Sequence, residues 1–455
     1  MLAMSIEVTD SQIDEIKSLL ESGERERLGE LVSRLHPSDI AHLFEHIDDS
    51  QMISLFHTLK PEVASEVFLE VDERRRAILI ASLTDDKLVE VVDEMDTDDA
   101  TDFISELPVE EARKVLEGMD THESQQVRRL LRYADDTAGG KMQTELVSVH
   151  EDATIEEAIE EVRRKSYVVE NISSVFVVDS ERVLVGVVPL DRLILAPPTA
   201  LVGEIADRDF IKVTTDVDQE EVARLFKKYD LISLPVVDGF GKLVGRITVD
   251  DVVDVIEEEI FEDVYHMASL NTGERALDPP GRSFRMRSPW LLVNLGTAFL
   301  AASVVKLFEG TIESLVVLAV FMPVVAGLGG NAATQTITVM VRGLALGELS
   351  LRNARRVLVK EALVGLGNGL LVGAVAALIS YLLGASTMVG VLLFLAMTAN
   401  MVIAGLSGAT IPLILKWLNA DPALSASIFV TACTDIGGFF TFLGLAALFL
   451  HVGIL

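Results

Sequence analysis

Five long apolar stretches in the last third of the sequence constrain its fold more than any other feature. A helix needs about 20 mainly apolar residues to cross the hydrocarbon core of a bilayer. The buried core of a soluble enzyme would need equally long apolar runs without polar interruption, so we reject that alternative. The sequence predicts five membrane-spanning helices, at roughly 289–308, 315–341, 357–383, 388–415 and 427–449.

Charge is concentrated in the other part of the chain. The 455 residues include 70 Asp or Glu and 38 Lys or Arg, for a formal net charge of −32, yet only seven basic and six acidic residues follow residue 287. So acidic a chain excludes nucleic acid as a partner. The single cysteine, Cys433, excludes an internal disulfide and a cysteine-based zinc site. The first residues do not resemble a signal peptide, so we expect the acidic part to stay where it is made.

The charges that flank the predicted spans indicate their orientation, because cytoplasmic loops near a membrane are enriched in Lys and Arg. Basic residues precede the first span and lie between the second and third, and between the fourth and fifth. The other two loops carry either Lys306 with two glutamates or no charge. We therefore expect the acidic part in the cytoplasm and the C-terminus outside the cell.

Residues 36–131 consist of eight consecutive frames of twelve residues, such as TDDKLVEVVDEM and DTDDATDFISEL. Each frame opens on Pro, Asp or Thr-rich sequence and closes on an apolar pair at helical spacing. This pattern is typical of a short capped helix followed by a turn. One short helix cannot bury its apolar face alone, so the frames predict a superhelix of stacked helices with the Asp-rich starts along one edge.

Residues 140–257 contain a longer, twofold repeat. LVSVHEDATIEEAIEEVRR matches FIKVTTDVDQEEVARLFKK, and SSVFVVDSERVLVGVVPLDRL matches ISLPVVDGFGKLVGRITVDDV. Each half predicts a strand, an amphipathic helix, a β-hairpin and a helix that opens at Asp191 or Asp250. The repeat therefore predicts two α/β modules. A glutamate-rich helix, DDVVDVIEEEIFEDVYHM, then leads towards the first span.

Asp435 lies about a third of the way into the fifth predicted span, shortly after Thr431 and Thr434. An ionised carboxylate inside a membrane is costly, so such a residue indicates a functional site by default. The span contains no Lys or Arg. Either a cation neutralises Asp435 or the group is protonated. The alternative is a neutral Asp435 that only hydrogen-bonds a neighbouring helix.

The second predicted span contains Pro323, Gly327, Gly329, Gly330 and Asn331 in the stretch FMPVVAGLGGNAATQTITVMV. The proline and glycines predict a break in the helix, and such backbone is tolerated where it lines a watery cavity. The freed carbonyls and the Asn331 amide are oxygen ligands of the kind that hard cations take. Close glycines also serve helix packing, which is the better explanation of Gly327 alone.

The acidic part has many carboxylates and no His or Cys cluster, so any metal bound there is expected to be Mg²⁺ or Ca²⁺. Like charges three or four residues apart on a helix repel, and a divalent cation relieves that repulsion. A solvated acidic face explains any one of the spaced carboxylates given below. For the whole set of carboxylates, we favour packing between domains that depends on bound cations. Phosphate-loop, nucleophile-elbow and metalloprotease motifs do not occur, so no enzyme is predicted. The spaced carboxylates are Asp98 and Asp102, and Asp251, Asp254, Glu258 and Glu262.

These features resemble the MgtE family of magnesium channels. The most specific motifs are YADDTAGGKM, PVVAGLGGNAATQTITVMVRGLALGE and GATIPLILKWLNADPALSASIFVTACTDIGGFFTFLGLA. The resemblance implies a homodimer whose pore follows the dimer axis and is lined by the second and fifth spans. It also implies a helical N domain (1–135), a tandem pair of α/β CBS domains (136–198 and 199–258), a connecting or plug helix with a linker (259–287) and a transmembrane domain of five helices (288–455).

The resemblance further implies site residues. Asp435 occupies the position of the family's pore aspartate, which holds a hydrated Mg²⁺, with Ser427 and Thr431 nearby and Asn331 lining the pore. Some members bind ATP in the CBS pair, and Asp191 occupies a plausible ribose-binding position. The family closes its gate with regulatory Mg²⁺. The implied ligands are Asp98, Asp102, Asp251 and Asp254 between the N domain and the CBS pair, Glu220 and Asp230 between CBS domains, and Glu259, Glu262, Asp263 and Asp421 at the plug.

We therefore predict a Mg²⁺-selective, Mg²⁺-gated channel in the cell membrane that high cytosolic Mg²⁺ closes, since an ion that binds one state more tightly shifts the population towards it. Two other hypotheses remain open at this point. A proton- or sodium-coupled transporter of Mg²⁺ or Co²⁺ would use Asp435 as a titrating group. A membrane-tethered sensor of Mg²⁺ or nucleotide would conduct nothing and would have no use for Asp435.

Overall fold

The computed structural model describes residues 10–22, 24–270, 272–274, 276, 278–418, 420–423 and 426–453. It divides into two units, Met1–Val255 and Ile256–Leu455. The first unit contains short helices followed by two small sheets, and the second contains long apolar helices. This order confirms the predicted fold class. Three residues of the predicted plug and linker segment (259–287), Asn271, Arg275 and Leu277, lie outside the described residues.

Short helices form the N-terminal part of the first unit. A helix begins one residue after the start of each of the eight twelve-residue frames, and the opening residue of each frame is the N-cap. The predicted repeat is therefore confirmed. The helices are α1 (Asp10–Ser22), α2 (Arg25–Val32), α3 (Pro37–Leu43), α4 (Asp49–Phe56), α5 (Pro61–Glu70), α6 (Glu73–Ser82), α7 (Asp85–Asp93), α8 (Thr97–Glu106), α9 (Val109–Gly118) and α10 (Thr121–Leu130).

Five of the eight frame starts cap their helix with a side chain, and the apolar frame ends form the core. At the start of α4, Asp48 Oδ1 accepts hydrogen bonds from the N–H groups of Ser50 and Gln51, each at 2.9 Å. The Gln51 side chain accepts one in return from the Asp48 N–H at 3.2 Å, which completes a capping box. Buried aromatic rings also connect helices that are distant in sequence, as where Phe68 of α5 contacts Phe103 of α8 with ring centroids 5.2 Å apart.

Two α/β modules follow, each with a three-stranded sheet. In each sheet the first strand is parallel to the second, which forms an antiparallel hairpin with the third. This confirms the predicted tandem pair. The first module contains β1 (Ser148–His150), α11 (Ile155–Lys165), β2 (Ser174–Val178), β3 (Leu184–Pro189) and α12 (Leu190–Leu195); the second contains α13 (Val202–Ile205), β4 (Val213–Thr214), α14 (Gln219–Tyr229), β5 (Ser233–Val237) and β6 (Leu243–Thr248).

The glutamate-rich segment forms one uninterrupted helix, α15 (Val249–Met267), as predicted. It begins directly after β6 and passes through residue 258, where we predicted the end of the second CBS domain. Val252 and Val255 are buried in its first half. One continuous helix therefore carries Asp251 near its start and Glu262 near its end.

The second unit contains six further helices, and among the described residues five of its helices are long and apolar enough to cross a membrane. This confirms the five predicted spans. The first of them begins nine residues earlier than predicted, at Pro280, because a proline suits the first turn of a helix, where its missing N–H has no partner. The helices are α16 (Pro280–Leu307), α17 (Glu309–Ser314), α18 (Val317–Ala345), α19 (Ala354–Leu382), α20 (Thr387–Trp417) and α21 (Ala426–His451).

The predicted break in the second span is wrong, because α18 continues through Pro323 and the glycines that follow it. A proline removes only one hydrogen bond from the helix, and a glycine removes none. Gly329 instead provides space for Asn400 of α20, whose Nδ2 donates to the carbonyl of Val325 at 2.8 Å. A Cβ on Gly329 would overlap Asn400 Nδ2. The glycine is thus needed for helix packing.

We expect Asp48→Ala to lower the free energy of unfolding of α4 by about 1 kcal/mol, because the N–H groups of Ser50 and Gln51 lose their acceptor. Hydrogen exchange of the α4 amides in the whole chain measures this change. The matched control is Asp49→Ala, which removes a neighbouring carboxylate whose exposed ion pair with Arg74 contributes little. Equal protection of α4 in the two variants would contradict the capping role.

We expect Gly329→Ala to lower the melting temperature of the whole chain in detergent, because the added methyl group cannot coexist with the observed position of Asn400. The matched control is Gly330→Ala one residue later, where an added Cβ meets nothing within 4 Å. The control variant should melt like the native chain. If both variants melt alike, the packing of Asn400 against α18 does not stabilise this unit.

Candidate functional site

Asp435 lies in α21, and Thr431 and Ser427 precede it by one and two helical turns. The three side chains therefore share one face of the helix. Asp435 is half-buried, and among the side chains that the structure describes no Lys or Arg forms an ion pair with it. Asp435 thus remains a carboxylate without a cationic partner inside a helix long enough to span a membrane.

Asn400 fixes the helix that carries Asp435. A Cβ on Gly438, three residues after Asp435, would lie 2.8 Å from Asn400 Nδ2, so the backbone of α21 also approaches this amide closely, although less closely than α18 does at Gly329. Asn400 is fully buried. One amide side chain therefore holds α18 and α21 at a set distance. Asn331, predicted to line the pore, is exposed on α18 two residues after Gly329.

A second carboxylate within the spans, Glu361 of α19, was missed by the sequence analysis. It is 5% exposed, its Oε1 lies 2.9 Å from Lys360 Nζ, and its Oε2 accepts from Thr336 Oγ1 at 3.4 Å. A cavity of about 220 Å³ beside it has a mainly apolar lining that also includes Gln335 and Asn368. The adjacent basic and acidic residues near the start of an apolar run were the signal available.

The end of α15 contacts the loop before α21. His266 Nδ1 lies 2.5 Å from Asp421 Oδ2 and 3.6 Å from Glu262 Oε1. Asp421 Oδ1 also accepts from the N–H of Ala423 at 2.8 Å. The structure thus brings together two predicted ligands of the plug region, Asp421 and Glu262, with His266 between them. Glu259 and Asp263 lie one turn apart on the same helix.

The main acidic cluster lies in the first unit, where the first turn of α8 faces the start of α15. Asp98 is 7% exposed. Burial raises its pKa well above the usual range, and the charge of nearby Asp251 raises this pKa further. Burial also raises the pKa of Asp251, although Asp251 Oδ2 accepts hydrogen bonds from the N–H and the hydroxyl of Thr248. The predicted pair of Asp98 and Asp251 is therefore brought together.

Two further members of this cluster, Asp96 and Asp99, were not among the predicted ligands. Burial first, and then neighbouring carboxylates, raise the pKa of each to about 7. Asp102 and Asp254 also act electrostatically on Asp99, so these predicted residues lie near the cluster. Asp102 is additionally 3.6 Å from Lys141 Nζ. The Asp-rich sequence TDDATD was the available signal, but Asp96 was assigned only to the start of a frame.

The cluster suits a hard cation by charge and by donor type. Its carboxylates are partly stripped of water and repel one another, which a bound divalent ion would relieve. Within the described residues, however, no three His, Cys, Asp or Glu side chains already converge as metal ligands. The carboxylates are therefore near one another without being arranged around a single point, and small side-chain movements would have to accompany the binding of an ion.

The remaining predicted residues lie apart. Glu220 is in the first turn of α14, and Asp230 is its C-cap in a left-handed conformation, with φ +50°. Their separation of ten positions places the two about 15 Å apart along the helix, so one chain does not bring them together. Asp191 is exposed near the start of α12, where the N–H of Leu190 donates to the carbonyl of Ser173 at 3.0 Å.

Comparison with known families gives matches along most of the chain. A family described as "MgtE: Divalent cation transporter" matches residues 322–445. The "MgtE intracellular N domain" matches residues 35–136, and the CBS domain matches residues 138–198 and 202–258. The magnesium transporter MgtE of Thermus thermophilus is 38% identical over 339 residues, covering 72% of this chain and 73% of the relative. That of Enterococcus faecalis is 32% identical over 329 residues, covering 72% of each chain.

Solved structures resemble the cytosolic part. The soluble part of a magnesium transporter superposes with a TM-score of 0.52 at 30% identity, covering 55% of this chain and 98% of that one. The cytosolic domain of the Mg²⁺ channel MgtE in complex with ATP gives a TM-score of 0.51 at 35% identity, covering 53% of this chain and 99% of that one.

We expect Asp98→Asn to raise the melting temperature of the whole chain without divalent ions, because the buried native carboxyl must either stay charged near Asp251 or take up a proton, and both cost free energy at neutral pH. A gain of about 1 kcal/mol would correspond to roughly 2–4 °C. The same variant should lose most of the stabilisation that added Mg²⁺ gives the native chain. Melting curves with EDTA and with MgCl₂ test both expectations.

The matched control is Asp86→Asn, which changes the same helical position in α7, where the carboxylate is exposed. It should leave the Mg²⁺-dependent stabilisation unchanged. A native chain that melts at the same temperature in EDTA and MgCl₂ would contradict cation binding at the cluster.

Proposed function

Because the chain belongs to the MgtE family of magnesium transporters, we propose that it is a Mg²⁺-selective channel that cytosolic Mg²⁺ closes. One observation carries the pore assignment: Asp435 is a carboxylate without a basic partner among the described residues, in a helix that can span a membrane. An ionised carboxylate inside a membrane is costly, and a bound cation lowers that cost. A sensor that conducts nothing would have no use for such a carboxylate.

Selectivity in this proposal comes from the reluctance of Mg²⁺ to lose its water. The ion demands near-octahedral geometry and usually keeps several waters when a protein binds it. Two copies of Asp435, one from each subunit, would hold a hydrated ion through its water shell. Thr431 and Ser427, on the same face of α21, would offer hydroxyl groups along the path, and Asn331 would face it from α18. Larger ions that shed water more readily would fit this site less well.

The proposal requires a homodimer, since one chain supplies only one pore aspartate. Most apolar side chains of α16 are exposed, as expected of a helix that contacts lipid or a helix of a second subunit. Exposed Asn331 on α18 supports a path completed by a second copy, because an amide facing lipid would lack partners. The basic flanks of α16 and α19 support an orientation with the first unit in the cytoplasm and the C-terminus outside.

The gate would work through the acidic groups. At low cytosolic Mg²⁺, carboxylates around Asp98 and Asp251 repel one another and favour separated domains and an open pore. At high Mg²⁺, bound ions offset that repulsion and favour the packed, closed state, which they bind more tightly. The proposed regulatory ligands are Asp98, Asp102, Asp251 and Asp254 at the cluster, Glu220 and Asp230 between CBS domains, and Glu259, Glu262, Asp263 and Asp421 around the end of α15.

ATP is proposed as a regulator that binds the CBS pair. Support comes from the related cytosolic domain whose structure is described as a complex with ATP, at 35% identity to this chain. Asp191 is exposed on α12 and would be free to accept a hydrogen bond from a ribose hydroxyl. The nucleotide would act on the gate and would not drive transport, because the sequence lacks a phosphate-binding loop of the Walker type.

We expect Asp435→Ala to reduce Mg²⁺ flux into proteoliposomes at least tenfold, because the pore loses the charge that binds the hydrated ion. The matched control is Cys433→Ala, a change two residues away in the same helix, which should retain flux. High Mg²⁺ on the side of the cytosolic domains should suppress the flux of the native chain.

Three outcomes would contradict parts of this proposal. Flux that survives Asp435→Ala would move the selectivity site elsewhere. Flux that requires a proton or sodium gradient would favour a coupled transporter in which Asp435 titrates. No flux at any Mg²⁺ concentration, from folded dimeric protein, would favour a sensor.

A further inference from the structure

Arg246 is a buried basic residue beside the acidic cluster of the first unit. It lies in β6 and is 3% exposed. A guanidinium group loses much hydration when it is buried, so its donors must find acceptors within the protein. The sequence analysis gave Arg246 no role, because an arginine at the centre of a strand indicates nothing about its partners.

The donors of Arg246 bind neutral oxygen atoms in two other segments. Its Nε and Nη2 donate to Gln143 Oε1 at 3.0 and 2.7 Å. Nη2 also donates to the carbonyl of Glu170 at 2.8 Å, and Nη1 to that of Asn171 at 3.4 Å. The backbones of Gln143 and Arg246 exchange two further hydrogen bonds of 2.9 Å. One side chain therefore joins the segment before the first module, a loop of that module and β6.

Gln143 and Arg246 each lie within two residues of a threonine that contacts the acidic cluster or its helix. Gln143 is followed by Thr144, whose N–H donates to Thr97 Oγ1 at 2.9 Å, and Thr97 is the first residue of α8. On the other side, Thr248 lies two residues after Arg246 and donates to Asp251 Oδ2. The bonds of Arg246 thus hold the segments that position the carboxylates of α8 and α15.

The positive charge of Arg246 also acts on the cluster. The carboxylates of Asp96, Asp251 and Glu145 all lie within electrostatic range of the guanidinium group. Because its hydrogen bonds go to neutral oxygens, the group offsets the negative charge around it without occupying a carboxylate that could bind an ion. Charge alone would weaken the binding of Mg²⁺ nearby, whereas a fixed spacing of the carboxylates would strengthen it.

We propose that Arg246 is a positioning residue that holds the α8 and α15 carboxylates at the spacing which binds Mg²⁺, and so sets the Mg²⁺ concentration at which the cytosolic unit packs. This inference rests on the proposed gating function. The hydrogen bonds and the charge of Arg246 predict opposite effects of substitution. Loss of the hydrogen bonds should weaken Mg²⁺ binding, whereas loss of the positive charge alone should strengthen it. A lysine keeps the charge but cannot reach Gln143 and two carbonyl groups with one planar fork.

The test measures the Mg²⁺ midpoint for protection of the amides of residues 97–104 by hydrogen exchange, in the full chain in detergent. We expect Arg246→Lys and Arg246→Gln each to raise this midpoint about 3–10-fold, because both lose the bonds that set the spacing. Gln143→Ala, a milder change at the same junction, should raise it similarly. Combining it with Arg246→Gln should add little, since both remove one contact. The matched control is Arg208→Gln, an exposed arginine of the same part of the chain paired with Glu151.

The results separate this inference from the proposed function. A lower midpoint in Arg246→Gln with an unchanged midpoint in Arg246→Lys would mean that only the charge matters, and would overturn the positioning role. A loss of thermal stability in EDTA at an unchanged midpoint would reduce Arg246 to a purely structural residue. If the native chain shows no Mg²⁺-dependent protection, the gating function fails and the inference fails with it.

Discussion

Mutual repulsion among partly desolvated carboxylates is the constraint on which the cytosolic unit depends. Asp96, Asp98 and Asp99 follow one another at the start of α8 and face Asp251, and burial makes the ionised form of each costly. Natural cores avoid such groupings unless a partner offsets the charge. Arg246 is close but gives its hydrogen bonds to neutral oxygens. Under the proposed gating function, the packed arrangement of this unit would gain stability from each cation that enters the cluster and would lose it when that cation leaves.

The membrane unit is subject to a different constraint. There a polar group must be fixed without water, and Asn400 achieves this by donating to the Val325 carbonyl while lying against Gly329 and Gly438. Both glycines are required by the size of the amide and not by backbone flexibility. Because α18 stays helical, its carbonyls remain bonded within the helix, and a cation near Asp435 would have to use side chains and water. This favours a hydrated ion over one stripped of its shell.

Local sequence predicted the elements well and the long-range contacts poorly. The twelve-residue frames were readable because five of the eight begin with a residue whose side chain caps the helix, such as Asp48. The predicted break in the second span was wrong because proline and glycine indicate a weak helix only locally. The role of Gly329 depends instead on its contact with Asn400, which lies in another helix. Asp98 and Asp251 were found by motif and charge. Arg246 and Glu361 were missed because their roles depend on partners distant in sequence, and no periodic pattern identifies those partners.

The number of carboxylates follows from what a switch requires. Moving a two-state equilibrium from 1:99 to 99:1 takes about 5.5 kcal/mol of differential binding. One site that supplied this amount alone would have to bind Mg²⁺ so tightly in the closed state that it would stay filled at low cytosolic concentrations. Several weak sites share the same free energy and empty together when the concentration falls. In this chain α15 joins two such groups covalently, with Asp251 in its first turn and Glu262 close to Asp421 at its end through His266. In the proposed gate, a helix without a break between them would allow ions bound at separate places to favour one common state.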